Sequence, residues 1–142
     1  MMRRRSVAEG DDAGSILLLT LGYAALALVA IFVCADATSL YLAQKRLDSL
    51  ADAAALAGAD GFTISLADGE PEAQLNDGAV FTQASEIVDA VGEGAALVSA
   101  GTPDGRSARV TVATVWHAPI VSLFVPDGVP LEATATSRTA LR

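Results

Sequence analysis

An uncharged apolar stretch over residues 13–35 is the strongest hydrophobic pattern in the chain. It reads AGSILLLTLGYAALALVAIFVCA and contains no Asp, Glu, Lys or Arg. As a helix, residues 15–35 would extend roughly 32 Å at about 1.5 Å per residue, enough to cross a hydrocarbon core of about 30 Å. An uncharged run of Leu, Ala and Val can bond all its backbone amides within one helix, as lipid requires. The sequence therefore predicts a transmembrane helix over residues 15–35, preceded by a polar head at residues 1–14.

The apolar positions that follow this stretch recur every three or four residues, which is the spacing of one helical face. They are Leu40, Ala43, Leu47, Leu50, Ala54 and Ala57. No Gly or Pro interrupts residues 24–57, and Gly58 and Gly61 then provide stop signals. We therefore expect the membrane helix to continue into solvent as an amphipathic, Ala-rich extension over residues 36–60.

The end of this extension carries small residues at a four-residue spacing. Ala51, Ala55 and Ala59 form one such series, and Ala54 and Gly58 form another. Small residues at this spacing allow a neighbouring helix or sheet to approach closely. The high helix propensity of Ala would explain the same composition without any packing role. We predict these five residues as a helix-packing face, with both explanations open.

Asp-Gly pairs, which are turn signals, divide the rest of the chain into short elements. They stand at residues 60–61, 68–69, 77–78, 104–105 and 127–128. We expect, in order, a strand at 62–66, a polar loop at 67–78, a helix at 79–91, a hairpin of 96–100 with 107–115 around TPDGR, and a strand at 131–139.

The apolar positions of these elements predict which sides face a common core. In the second helix they are Val80, Ala84, Ile87, Val88 and Val91. In the strands they are Val110, Val112, Thr114 and Trp116, followed by Leu131, Ala133 and Ala135. The predicted fold class is α+β, in which a long N-terminal transmembrane helix continues into a small extracytoplasmic domain over residues 61–142. This domain has one helix on a short antiparallel sheet, and its small core would depend on the first helix for burial.

Charge is distributed unevenly and predicts an orientation. Arg3, Arg4 and Arg5 precede the apolar stretch, whereas the first basic residues after it are Lys45 and Arg46. The positive-inside rule therefore favours a cytoplasmic N-terminus. The net charge of −8 comes from residues 36–142, which hold six basic and fourteen acidic side chains. Such an acidic domain is not expected to bind nucleic acid.

A cleaved secretory signal is the alternative interpretation of the N-terminal segment. Small-residue sites are present at 33–35 and 35–37, and cleavage there would release a secreted binding or adhesion domain. However, the apolar run exceeds the usual ~7–15 residues of such a signal. The predicted helix also continues through both sites, so we expect the segment to be retained.

Candidate catalytic residues are sparse. His117 is the only histidine and Cys34 the only cysteine, and they lie on different predicted elements. Asp68, Glu70 and Glu72 could gather a calcium ion, but the loop lacks the Gly and distal Glu of an EF-hand. We therefore expect no enzymatic activity, no cofactor, no metal and no small-molecule substrate.

Four features follow one another from the outer end of the apolar stretch. They are Asp36, the aromatic Tyr41, the basic pair Lys45 and Arg46, and the run ADAAALAGA at residues 51–59, which includes Asp52. In this order and spacing, residues 14–59 resemble the N-terminal segment of TadE/TadG-like Flp pilus assembly proteins.

The resemblance implies a minor, pilin-like component of a tight-adherence pilus or related secretion system. Its implied partners are the lipid bilayer and other minor pilins or pilus assembly proteins. Type IV pilins usually have a Gly cleavage site and a Glu at the fifth mature position. If Gly14 marked the site here, that position would be Leu19. The resemblance therefore implies an uncleaved, membrane-held assembly protein rather than a major fibre subunit.

Overall fold

The computed structural model describes residues 10–138 of the chain. Its elements are α1 (Gly10–Asp60), β1 (Thr63–Ala67), β2 (Glu70–Gln74), α2 (Asp77–Val91), β3 (Ala96–Gly101), β4 (Ser107–Trp116) and β5 (Val129–Arg138). Most of the predicted polar head, with Arg3–Arg5, and the predicted strand end at Thr139 lie outside the described residues. The α+β class is confirmed.

Helix α1 is continuous over 51 residues. It includes residues 24–57, which no Gly or Pro interrupts, and it also extends back through Gly22 and Gly14 to Gly10, inside the predicted polar head. Its length is roughly 76 Å at about 1.5 Å per residue. Within residues 10–138 it is the one helix long and apolar enough to cross a membrane, and none of its apolar window is buried in the protein. The hydroxyls of Thr20 and Thr38 donate to the carbonyls of Ile16 and Cys34, both at 2.8 Å. These polar side chains are thus satisfied within the helix itself.

The membrane-distal half of α1 packs on a three-stranded antiparallel sheet of order β3-β4-β5. It covers β4 and β5, while α2 lies beside it over β3. The predicted hairpin between β3 and β4 is confirmed, and β5 pairs with β4 along its whole length from Trp116–Val129 to Ser107–Arg138. The prediction of one helix on a short antiparallel sheet, supported by the first helix, is therefore confirmed.

The predicted polar loop over residues 67–78 is wrong in part, because it contains strand β2. This strand pairs antiparallel with β1 and forms a separate two-stranded sheet. Asp68 and Gly69 form the turn with φ of 53° and 84°, the positive values that a two-residue hairpin turn requires. The sequence EPEAQ hid the strand, since it lacks alternating apolar residues and contains Pro71, which only an edge strand tolerates.

Helix α2 begins at Asp77, two residues before the predicted start, because Asn76 caps it. The Asn76 side chain accepts a hydrogen bond from the Ala79 amide at 2.7 Å. At the other end, the Gly92 amide donates to the Val88 carbonyl at 2.8 Å. Val91, predicted on the core face, is instead exposed and lines an open groove between the end of α2 and α1.

The core consists largely of small side chains and is divided into two clusters. Its main cluster joins α1 to α2, β4 and β5, and a second cluster lies at the distal end of α1. The first contains Leu47, Leu50, Ala51, Ala54, Ala55, Ala84, Val88, Val110, Val112 and Ala133. The second contains Ala59, Leu75, Val80 and Ala108. Residues of α1 thus form one wall of the domain, so the stalk and the domain are a single packed unit.

Candidate membrane-proximal interface

The predicted helix-packing face lies against the chain's own domain. Ala51, Ala54, Ala55 and Ala59 are each at most 1% exposed, and Gly58 is also buried. A Cβ atom added at Gly58 would lie 3.0 Å from Val80 Cγ1 and 3.3 Å from the Ala108 side chain. The small residues therefore let α1 approach α2 and the sheet of the same molecule, so this face is already covered.

Asp36, at the outer end of the apolar stretch, is buried to 7% exposure although its side chain is polar. Its Oδ1 atom accepts a hydrogen bond from the Ile120 amide at 3.2 Å. Its Oδ2 atom has no hydrogen-bond partner among residues 10–138. A buried carboxylate needs such partners, so the contact between Asp36 and the segment after β4 is a specific structural feature.

Two further hydrogen bonds join the same part of α1 to the sheet. The Trp116 Nε1 atom donates to Ser39 Oγ at 3.2 Å, and Gln44 Nε2 donates to the Glu132 carbonyl at 3.2 Å. Together with the contact of Asp36, they fasten the sheet to α1 immediately beyond the membrane span. The sheet is therefore held against the helix at the point where the helix leaves its apolar stretch.

The remaining residues of the family pattern lie on the outer surface of α1. Lys45 Nζ is 3.1 Å from Asp48 Oδ2 and 5.9 Å from the centre of the Tyr41 ring. The hydrogen bond and charge of Asp48 raise the pKa of Lys45 above its usual value. Arg46 and Asp52 are also exposed. These polar groups stay solvated beside the buried alanine face.

Apolar side chains remain exposed at several places outside the core, including the β1–β2 hairpin and α2, and three other places bear on the interface. The first is the membrane span itself. The second is the outer side of the α1 extension, where Leu42 is 50% and Leu56 is 59% exposed. The third is the segment between β4 and β5, where Leu123 is 90% and Phe124 is 85% exposed.

The candidate chemical residues are not brought together. His117 is exposed at the end of β4, and Cys34 is exposed on the membrane span. Among the described residues, no group of three or more His, Cys, Asp or Glu side chains converges on a point that could hold a metal ion. In the acidic loop of Asp68, Glu70 and Glu72, which could have gathered a calcium ion, Glu72 instead accepts a hydrogen bond from Arg106 at 2.8 Å.

Sequence reasoning missed the partners that make the interface, which are Ser39, Gln44 and Ile120. Two of these contacts involve a backbone group, which leaves no mark on the residue type. The apolar stretch after Pro119 and the Asp at the end of the membrane span were both visible. Only the three-dimensional arrangement shows that they meet.

An apolar helix that is long enough to cross a bilayer and continues into the core of a small α+β domain defines a single-pass membrane protein with a helical stalk. Residues 14–61 match the family model described as Flp pilus-assembly TadE/G-like. The resemblance noted in the sequence is confirmed over these residues. Comparisons with curated proteins and with solved structures gave no match. The matched segment and the membrane helix together support a pilus-assembly component.

Proposed function

We propose that this protein is a membrane-anchored, minor pilin-like assembly component of a Tad/Flp-type pilus or related secretion system. Its span anchors it, its N-terminus is cytoplasmic, and its domain acts outside by docking on other pilus proteins. The observation that carries this proposal is the extent of the family match. It covers residues 14–61, which include the apolar span, the contact of Asp36 and the whole alanine face.

The docking surface we propose is the outer side of the α1 extension, since the alanine face is covered. Leu42, Ser49 and Leu56 are exposed and spaced seven residues apart. A seven-residue spacing places side chains along one narrow seam of a helix. This seam fits the helical stalk of a second minor pilin, packed side by side.

Docking can be tested with Leu56→Glu in a strain that lacks the chromosomal copy. We expect fewer pili and weaker crosslinking to other pilus proteins, with unchanged thermal stability because Leu56 lies outside the core. Leu66→Glu is the matched control, since Leu66 is a 76% exposed leucine on the β1–β2 hairpin. Normal piliation with Leu56→Glu would contradict the proposed seam.

Release of the domain by signal peptidase is the competing function. Cleavage at 33–35 or 35–37 would cut inside continuous α1 and next to the buried carboxylate of Asp36. This geometry supports retention. Membrane fractions washed with carbonate should therefore keep the chain, and its N-terminal sequence should retain Arg3–Arg5. A product that starts near Asp36 or Thr38 would establish release instead.

Orientation can be tested with a single cysteine in the domain. In a Cys34→Ser background, Leu66→Cys presents an exposed thiol far from the span. A membrane-impermeant maleimide should label it in intact spheroplasts as fully as in lysed cells. Labelling only after lysis would reverse the proposed orientation.

A further inference from the structure

The segment between β4 and β5, residues 117–128, is here termed the β4–β5 loop. Residues 118–126 read APIVSLFVP and contain no charged side chain. Its apolar side chains point outward, with Leu123 at 90% and Phe124 at 85% exposure, and Ile120 at 41%. The transfer of such side chains out of water is favourable, because it lowers the free energy of the system. Leu123 and Phe124 are two adjacent, almost fully exposed large apolar residues on an otherwise acidic domain, and an apolar environment would stabilise them.

The contacts along α1 give the position of this loop. At the distal end of the domain, Ala108 lies beside Gly58. Nearer the span, the Glu132 carbonyl meets Gln44, and then Trp116 meets Ser39. Strand β4 therefore runs towards the membrane, and β5 returns from it. The β4–β5 loop is consequently the membrane-proximal end of the sheet.

The contact of Ile120 with Asp36 sets the depth of the loop. Asp36 is the first residue after the uncharged stretch at residues 13–35. The Ile120 amide is 3.2 Å from Asp36 Oδ1, so the loop backbone reaches the level at which α1 leaves the hydrocarbon. Trp116 and Tyr41 lie close to the same level, where aromatic side chains commonly border a bilayer.

Part of the loop backbone is hydrogen-bonded within the loop itself. The Phe124 and Val125 amides both donate to the Val121 carbonyl, at 2.9 and 3.3 Å, and the Gly128 amide donates to Val125 at 3.3 Å. Pro119 and Pro126 have no amide hydrogen to satisfy. Each amide bonded in this way would carry a smaller desolvation penalty at the membrane interface.

We propose that the β4–β5 loop inserts Leu123 and Phe124 into the surface of the bilayer that α1 crosses, on the side where the domain lies. The contact is apolar and not directed at charged headgroups, because residues 118–126 carry no charge and the chain has a net charge of −8. It would give the domain a second attachment beside the helix and so restrain its tilt. This inference rests on the proposed function only in that α1 remains as a membrane span.

The test uses the full chain with Cys34→Ser, reconstituted into phosphatidylcholine vesicles. Phe124→Cys carries an environment-sensitive NBD label, and Leu123→Cys serves as an independent second site. Leu66→Cys is the control, because it is an exposed leucine at the distal hairpin. We expect lipids with doxyl groups on the acyl chain to quench the label several-fold more strongly at residues 123 and 124 than at residue 66.

Equal, weak quenching at all three sites in vesicles that retain the chain through carbonate would overturn the loop contact and leave the span intact. A blue-shifted label at residue 124 without doxyl quenching would indicate contact with a second copy of the chain, and would also overturn the lipid contact. Extraction of the chain by carbonate would remove the membrane span and this inference together.

Discussion

At the scale of single residues, Asp36 links the helix to the segment after β4. Its Oδ1 atom accepts a hydrogen bond from the Ile120 amide, and the residue directly follows the uncharged stretch at residues 13–35. The side chain therefore fixes the start of the β4–β5 loop relative to the span.

Replacing Asp36 should loosen this attachment locally. In Asp36→Ala the Ile120 amide loses its acceptor, so we expect its hydrogen exchange to accelerate relative to amides in the middle of β4. Asp36→Asn retains an acceptor oxygen and should keep most of the protection. Exchange measured by mass spectrometry on the detergent-solubilised chain checks this, and equal protection of Ile120 in all three proteins would contradict the role of the hydrogen bond.

A second carboxylate, Asp104, makes the distal end of the domain sensitive to acid. Its oxygens accept hydrogen bonds from the amides of Arg106 and Ser107, at 3.0 and 2.6 Å, and from the Ser107 hydroxyl at 2.9 Å. The Arg106 amide, the Ser107 hydroxyl and the Ser107 amide, in that order, lower the pKa of Asp104 below its usual value. The folded state therefore favours the charged form.

This shift predicts how stability depends on pH. A lowered folded-state pKa gives a stabilising contribution that is complete above the unfolded value of about 3.9 and is lost as pH falls through the folded value. Asp104→Asn should therefore be less stable than the wild type at pH 7, and the difference should narrow below about pH 4. The melting temperatures of the wild type and Asp104→Asn, compared between neutral and acidic pH, measure this difference in stability. A difference that stays constant across this range would show that ionisation of Asp104 does not contribute to stability.

At the scale of elements, the alanine face of α1 determines how closely helix and sheet can pack. Ala54 is completely buried, whereas its neighbour Ala53, about 100° further round the helix, is exposed. Ala54→Leu should lower the free energy of unfolding by about 1–3 kcal/mol, the usual cost of overpacking a core. Ala53→Leu adds the same atoms to the same helix and should stay within about 0.5 kcal/mol of the wild type. Urea unfolding in detergent compares the two, and equal stabilities would show that the face is not packed.

Most elements could be predicted because their signals are local. The length of α1 follows from an uninterrupted apolar and amphipathic pattern, and the β3–β4 hairpin follows from TPDGR between two apolar runs. The β1–β2 hairpin was missed because neither face of EPEAQ is buried, so no alternation could develop. The partner of the alanine face could not be predicted either. The four-residue spacing shows that one face of the helix carries small side chains, but it does not show whether α2 or another protein covers that face.

The candidate interface was predictable only in its parts. Asp36 stood out by its place after the span, and the stretch after Pro119 stood out by its apolar composition. Their contact spans 84 residues of sequence and uses a backbone amide, so no side-chain pattern could indicate it. The same holds for Gln44, which donates to the Glu132 carbonyl.

At the scale of the whole molecule, the domain is fixed to its anchor along a broad surface rather than joined by a linker. Residues 36–60 belong both to the stalk and to the wall of the domain, and α1 has no break between them and the span. The span and the part of the domain that packs on α1 therefore form one continuous unit. A displacement of the span is transmitted to the domain without an intervening hinge.

Insertion of residues within the span tests this rigidity. Each added alanine between Leu28 and Val29 should rotate everything beyond it by about 100° and raise it by about 1.5 Å. One or two alanines should impair pilus assembly, whereas four, which leave a net turn of about 40°, should largely restore it. Piliation of complemented strains provides the measurement. A steady decline with insertion length, without recovery at four, would show that height matters and angle does not.

Because α1 is unbroken, the rotational position of the span about the helix axis also sets the rotational position of the domain. The side of the span that contacts neighbouring helices in the bilayer therefore determines which side of the domain, tens of ångströms away, faces the next subunit. The number of residues between these two surfaces fixes the angle between them. A single deletion in the apolar span would therefore turn a correctly folded domain away from its partner.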